Sequence, residues 1–171
     1  KVLSRFCKRK TARFRRRRNS AEMVDYSAEL QRVCLPFLSE QESRDLLNRM
    51  ALLSLQSGSS LYMLNDPADC LYLLVSGRIA VRKKTGFGDR MQVVALLGPG
   101  APIGEGGLLV GQTRGATLSV VIDSRLMSLS RQAFDELSAA DPALSLKLLK
   151  WLMGRVSLRL KKSSERLAHV L

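Results

Sequence analysis

Glu105 and Arg114 stand nine residues apart in the most glycine-rich stretch of a 171-residue chain, where seven of the 12 glycines lie between Gly98 and Gly115. The stretch reads Ile103-Gly104-Glu105-Gly106-Gly107-Leu108-Leu109, then Val110-Gly111-Gln112-Thr113, then Arg114-Gly115-Ala116-Thr117. Glycines let a backbone come close to a ligand and turn through positive φ. A short helix from Glu105 to Leu109 would aim free amides at an anion, helped by the partial positive charge of a helix start. Arg114 carries a planar guanidinium suited to the paired oxygens of a phosphodiester. Glu105 repels an anion, so its work lies elsewhere: accepting from a sugar hydroxyl, or pairing with a nearby base. On residue types alone, a surface ion pair between Glu105 and Arg114 across an ordinary glycine-rich turn accounts for the same residues.

Other chemistries find little footing. There is no Gly-Lys-Ser/Thr phosphate loop, and no Gly-x-Gly-x-x-Gly follows a strand in a βαβ pattern. His169, the only histidine, falls on a charged helix near the end of the sequence, where a solvated side chain is expected. No nucleophile–base pair and no metal cluster can be assembled, so no catalytic residue, metal or cofactor is expected. Cys7, Cys34 and Cys70 are an odd number without metal spacing and read as free thiols in a reducing cytoplasm. No run approaches the roughly 18 apolar residues of a membrane-spanning helix, and the first residues given do not read as a charged, apolar, small-residue secretory leader. A first residue of Lys1 in place of methionine suggests a piece of a longer protein.

The glycine-rich stretch needs a scaffold, and the pattern around it supplies one. Val24, Ala28, Leu30 and Val33 have near-helical spacing, closed by Pro36. Ser39-Glu40-Gln41-Glu42 is a capping box, predicting a helix that continues through Leu46, Leu47 and Met50. From Ala51 to Arg131 short apolar runs alternate with Gly, Pro, Asn and Asp. Seven or eight strands are expected there, with breaks at Asn65–Asp69, Ser76-Gly77, Gly86–Asp89 and Asp123-Ser124. Such spacing suggests a closed antiparallel barrel or sandwich. Ser130 can cap a helix over Gln132 to Ala139, and Asp141-Pro142 can open another. In that last helix Leu148, Leu152, Val156 and Leu160 recur every fourth position, with Leu149 and Met153 widening the stripe.

The net charge of +13 belongs mostly to one end. Residues 1–18 carry ten basic groups and no acid, leaving 18 basic against 15 acidic groups over residues 19–171. Residues 1–20 therefore read as a flexible basic arm or linker, with a membrane surface or nucleic acid as candidate contacts. Residues 21–171 read as one domain, the strands spanning about 51–130 and the closing helices about 131–170.

Two ordered motifs resemble the cyclic nucleotide-binding domain family, whose members include catabolite activators, regulatory subunits of cyclic-AMP-dependent kinase and nucleotide-gated channels. The first is Ile103-Gly104-Glu105-Gly106-Gly107-Leu108 with Thr113-Arg114-Gly115-Ala116-Thr117, similar to the family's phosphate-binding cassette. The second runs from Asn65-Asp66-Pro67-Ala68-Asp69 through Leu71-Tyr72 to Ser76-Gly77-Arg78-Ile79-Ala80-Val81. The resemblance implies an α+β, mainly β fold: an antiparallel, jelly-roll-like β-roll with N-terminal helices and a long C-terminal helix. It implies a non-enzymatic, cytoplasmic sensory domain, such as the cytoplasmic part of a membrane protein. The expected ligand is a cyclic nucleotide, cyclic AMP rather than cyclic GMP because Gly115 offers no hydroxyl. By the same resemblance Glu105 would accept from the ribose 2′-hydroxyl and Arg114 would pair with the phosphate. The amides of Gly106, Gly107 and Ala116 would bind phosphate oxygens beside Gly104 and Gly115, while Gly77 and Asp66 would shape turns. A lid over the base would come from the helix holding Trp151, Leu152 and Arg155, and that helix is a candidate homodimer surface. The alternative is a degenerate member that binds no nucleotide and serves as a docking module.

Overall fold

The computed structural model describes residues 31–84 and 90–168. The expectations for the basic arm, Cys7, the part of the first helix that holds Val24, Ala28 and Leu30, the tip at residues 86–89 and His169 lie outside these residues. Six strands make one antiparallel sheet: β1 (Ala51–Leu55), β2 (Ser60–Tyr62), β3 (Cys70–Lys84), β4 (Met91–Leu97), β5 (Pro102–Ile103) and β6 (Thr117–Ser130). Residues 31–34 are helical, and α1 (Glu40–Leu47) follows them. After β6 come α2 (Arg131–Ala140) and α3 (Pro142–Ala168). A 3-10 helix over Glu105–Leu108 follows β5.

Helix starts obey their local chemistry. The Ser39 hydroxyl accepts from the Glu42 amide at 3.3 Å while the Glu42 carboxylate accepts from the Ser39 amide at 2.9 Å. Lys147 of α3 donates to the same carboxylate, and this bond, with the Ser39 amide, holds the Glu42 carboxyl below its ordinary range. Ser130 accepts from the Ala133 amide, and Asp141 accepts from the Leu144 amide, opening α2 and α3. Helix α1 stops at Leu47 and does not run on to Met50, because Asn48 caps it and the next amides turn back to the Leu46 and Leu47 carbonyls.

The strand region departs from its expected division. The described residues hold six strands, because two of the anticipated breaks lie inside long strands. Ser76-Gly77 is an irregularity in the 15-residue β3, and Asp123-Ser124 lies within the 14-residue β6. The β3–β6 register shifts between Leu74 and Ile79. Gly77 sits at φ +96, and a Cβ there would stand 2.3 Å from both the Asp123 carbonyl and the Ser124 hydroxyl. That hydroxyl is instead close enough to accept from the Arg78 amide and donate to the Ile122 carbonyl. The strand path is β1-β6-β3-β4, with β2 on β6 and β5 on β3, so among the described strands the sheet does not close into a barrel.

Irregular pairing also decides which face each residue serves. Leu71, Leu73 and Val75 of β3 join Met127, Leu129 and the helices in one core. Tyr72, Leu74 and, beyond the irregularity, Ile79 join Leu118, Val120 and Leu126 in a second. Odd-numbered residues thus change sides across residues 76–78, as an extra residue in a strand requires. The second core, with Ile103 and Ala116 in it, is the floor on which the glycine-rich segment rests.

Candidate anion-binding site

The glycine-rich segment is built from both ends toward Arg114. β5 closes at Ile103, and Gly104 turns the chain at φ 67 into the 3-10 helix. A Cβ on Gly104 would lie 2.3 Å from Arg114 Nη1, so the residue must be glycine for its conformation and for its neighbour. Gly107 is pressed onto the start of β3, its Cβ position 2.3 Å from the Cys70 carbonyl. Gly106 and Gly115 have nothing within 4 Å of a Cβ and so leave the space before them open.

The strand entering β6 is clamped by the turn before β3. The Arg114 amide donates to the Asp66 carbonyl at 2.8 Å, and the Arg114 carbonyl accepts from the Asn65 amide at 2.9 Å. Asn65 takes positive φ, and Asp66 accepts from the Met63 amide with its carboxylate, so these residues shape the clamp. Thr117 accepts from the Leu64 amide at 3.0 Å.

Arg114 itself is only 4% exposed. Its guanidinium carbon lies 4.3 Å from the centre of the Tyr62 ring and 5.5 Å from that of Tyr72. Nη1 donates to the Gly104 carbonyl at 3.2 Å. Among the described residues no carboxylate forms an ion pair with it, which disposes of the surface ion pair with Glu105. Burying a guanidinium without a counter-charge is costly, and an anion in the adjoining space relieves that cost.

That space is an open cavity of about 370 Å³. Glu105, Gly106, Gly107, Arg114, Gly115 and Ala116 line one side of it. Val81, Leu97 and Leu118 supply apolar wall, and Lys83 adds a second cation. Tyr62 lines it too; burial, and then Glu105, push the phenol up to about 12 against the opposing pull of Arg114 and Arg159. The predicted cassette residues therefore meet around one cavity. Tyr62, Val81, Lys83, Leu97 and Leu118 went unnoticed in the sequence because strands far apart in the chain bring them there.

The three lid residues read from the sequence do not reach the cavity. Trp151 stacks on Phe37 with ring centroids 5.3 Å apart. Leu152 is buried in the helix-side core with Leu144 and Leu148. Arg155 donates to the Gly100 carbonyl at 3.0 Å and lies beside the Trp151 ring. Arg159, one turn further, lines the cavity in their place. It pairs with Glu105 at 2.8 Å and donates to the Pro102 carbonyl. The base that Glu105 needed thus comes from α3. The signal for it was helical: Arg159 falls seven residues after Leu152, on the continuation of the buried face.

Residues 52–141 match the family model of the cyclic nucleotide-binding domain, and the chain belongs to that family. In solved structures it resembles a cyclic nucleotide-binding domain from Methylobacillus flagellatus, with TM-score 0.74 and 28% identity over 85% of this chain and 82% of that one. In sequence it is 30% identical over 105 residues to the cAMP-dependent protein kinase regulatory subunit of Dictyostelium discoideum, covering 60% of this chain and 32% of that protein. It is 27% identical over 104 residues to lysophospholipase nte1 of Neosartorya fischeri, covering 61% of this chain. The match spans only 7% of that lysophospholipase. The fold is the β-roll expected from the resemblance, and its class is a cyclic nucleotide-binding regulatory domain. No helix among the described residues is long and apolar enough to cross a membrane.

Proposed function

We propose that the cavity binds a cyclic mononucleotide, cyclic AMP in preference to cyclic GMP, and that α3 relays its occupancy. The observation that carries this reading is Arg114, a buried guanidinium facing a cavity with no carboxylate paired to it among the described residues. The cyclic phosphate sits against Arg114 and the amides of Gly106, Gly107 and Ala116, where backbone donors and a planar fork combine. Glu105 accepts from the ribose 2′-hydroxyl while Arg159 balances its charge. Gly115 gives no hydroxyl to a guanine amino group, which favours adenine. The relative named as a cAMP-dependent kinase subunit supports the ligand class.

Calorimetry with cyclic AMP, cyclic GMP and cyclic di-GMP tests this reading. Cyclic AMP is expected to bind most tightly, and Arg114→Ala to weaken it by at least a hundredfold, the loss of a charge-assisted fork at a desolvated site. No binding of any of the three up to about 1 mM, a free energy of about −4 kcal/mol, would overturn it and leave the docking-module alternative standing. In this proposal the domain works on the cytoplasmic side, as one part of a larger signalling, channel or transporter protein. The basic residues 1–18 are its contact to an anionic membrane or a nucleic acid.

A second reading concerns assembly, and an exposed apolar row on α3 carries it. Leu146, Leu149, Met153, Val156 and Leu160 are all exposed, and Leu167 extends the row. Their spacing alternates three and four residues, the a/d repeat of a coiled coil. We propose that a second copy covers this seam.

A further inference from the structure

We infer that Tyr62, braced by Tyr72, is a positioning residue that fixes the plane of the Arg114 guanidinium and so sets how an anion is gripped. This rests on the reading of the cavity as an anion site, and it adds a residue on β2, some fifty positions before Arg114. An arginine side chain has four rotatable bonds, and a loose fork loses much of its advantage in the entropy of being ordered. Here the freedom is removed in advance. The backbone of Arg114 is held at its amide by Asp66 and at its carbonyl by Asn65. One guanidinium nitrogen is tied to the Gly104 carbonyl. The remaining rotation, about the plane, is stopped by the Tyr62 ring face 4.3 Å away. Tyr62 is in turn held, its ring 6.2 Å from that of Tyr72 at a 35° tilt.

The arrangement also explains why the charge tolerates burial. An aromatic face is the negative part of the ring quadrupole, and a guanidinium over it recovers some of the solvation it loses. A ring face does this without occupying the N–H groups, whereas a carboxylate would compete for them with the ligand. The remaining N–H donors of Arg114 form no other hydrogen bond among the described residues, so they stay available to phosphate oxygens. Arginine and aromatic ring together act as a pre-aimed fork. A lysine at the position would keep the charge and lose both the stacking and the bidentate geometry.

Three variants of the 171-residue chain separate positioning from packing: Tyr62→Phe, Tyr62→Leu and Arg114→Lys. Two readouts are needed, calorimetry with cyclic AMP and the side-chain Nε–Hε resonance of Arg114 in the ligand-free protein. Stacking shields Hε, so the wild-type resonance lies upfield of an ordinary arginine. The expectation is that Tyr62→Phe keeps both the resonance and the affinity within about twofold. Tyr62→Leu is expected to move the resonance to the ordinary position and weaken cyclic AMP by about tenfold to thirtyfold, the range of a desolvated cation–π contact. Arg114→Lys should bind as poorly as Arg114→Ala. Wild-type affinity in Tyr62→Leu, or an unshielded Hε in the wild type, overturns the proposal. A wild type that binds no cyclic nucleotide defeats the proposed ligand class, and the resonance alone then decides the clamp.

Discussion

Tyr62 gives the residue scale its sharpest consequence, because its half-buried phenol also feels the charges of its neighbours. Burial raises the ionisation of Tyr62 from 10.0 to about 12, with Glu105 adding to the rise. In the folded state the phenol therefore keeps its proton where the unfolded chain would lose it. Between those two values the native state binds more protons than the unfolded one, so stability falls as pH rises. The contribution is whole below about pH 10 and is lost by about pH 12. Two units correspond to at most about 2 to 3 kcal/mol. Urea denaturation of wild type and Tyr62→Phe at pH 9, 10, 11 and 12 checks this. The difference between the two proteins should move against the wild type across that range, and a constant difference would mean that the phenol is freely solvated. Cyclic AMP affinity, carried by the ring face, should be alike in both at neutral pH.

At the scale of elements, α3 connects the cavity to the rest of the fold through two arginines. Arg155 and Arg159 reach three points of the cassette strand and helix: the Gly100 and Pro102 carbonyls and the Glu105 carboxylate. Arg159→Ala removes the last two. It leaves Glu105 unbalanced beside the phosphate site and frees the second half of α3, which has few other contacts to the roll. We expect about tenfold weaker cyclic AMP binding and faster amide exchange from residue 155 onward, with Leu148 and Leu152 still protected by the core. Unchanged exchange beyond residue 155 would show that α3 is held by something other than this pair. The same helix shows what the sequence disclosed and what it hid. Ser39, Ser130 and Asp141 announced helix starts by local chemistry, and the cassette was legible because its glycines, Glu105 and Arg114 are contiguous. The lid was not. An every-fourth repeat advances 400° per step on a 3.6-residue helix, so a row begun at Leu148 rotates 40° further round at each member. Leu148 and Leu152 are buried, Val156 is 41% exposed and Leu160 67% exposed. The face that meets the roll continues instead through Arg155 and Arg159, which bond to the Gly100 and Pro102 carbonyls and the Glu105 carboxylate. Ser76-Gly77 misled for a related reason: Gly at positive φ marks a turn or a bulge equally. Only the partner strand, with Ser124 filling the gap, decides which.

At the scale of the whole molecule, α3 separates two tasks between its faces. One face holds Leu144, Leu148 and Leu152 in the core and brings Arg159 to the cavity. The adjoining face leaves Met153 70% and Leu160 67% exposed, at positions where a heptad seam would place them, and nothing within the described chain covers them. A parallel partner helix is compatible with the charges that flank the seam. With Leu146, Met153 and Leu160 at a and Leu149 and Val156 at d, Arg159 and Arg166 fall at g and Ser157 and Ser164 at e. A parallel pair sets each g residue against the e residue of the next repeat, so Arg159 meets Ser164 without repulsion. The parallel arrangement also leaves Arg159 free to keep its bond to Glu105, so assembly and ligand binding need not compete. Sedimentation equilibrium should therefore return a two-fold assembly at micromolar concentration, and Met153→Glu with Leu160→Glu should return a monomer. Those carboxylates lie on the surface of the single chain, so the folded roll and its cyclic AMP affinity should survive within a few-fold. A wild type that sediments as a monomer at every concentration would remove the second copy as the occupant of the seam.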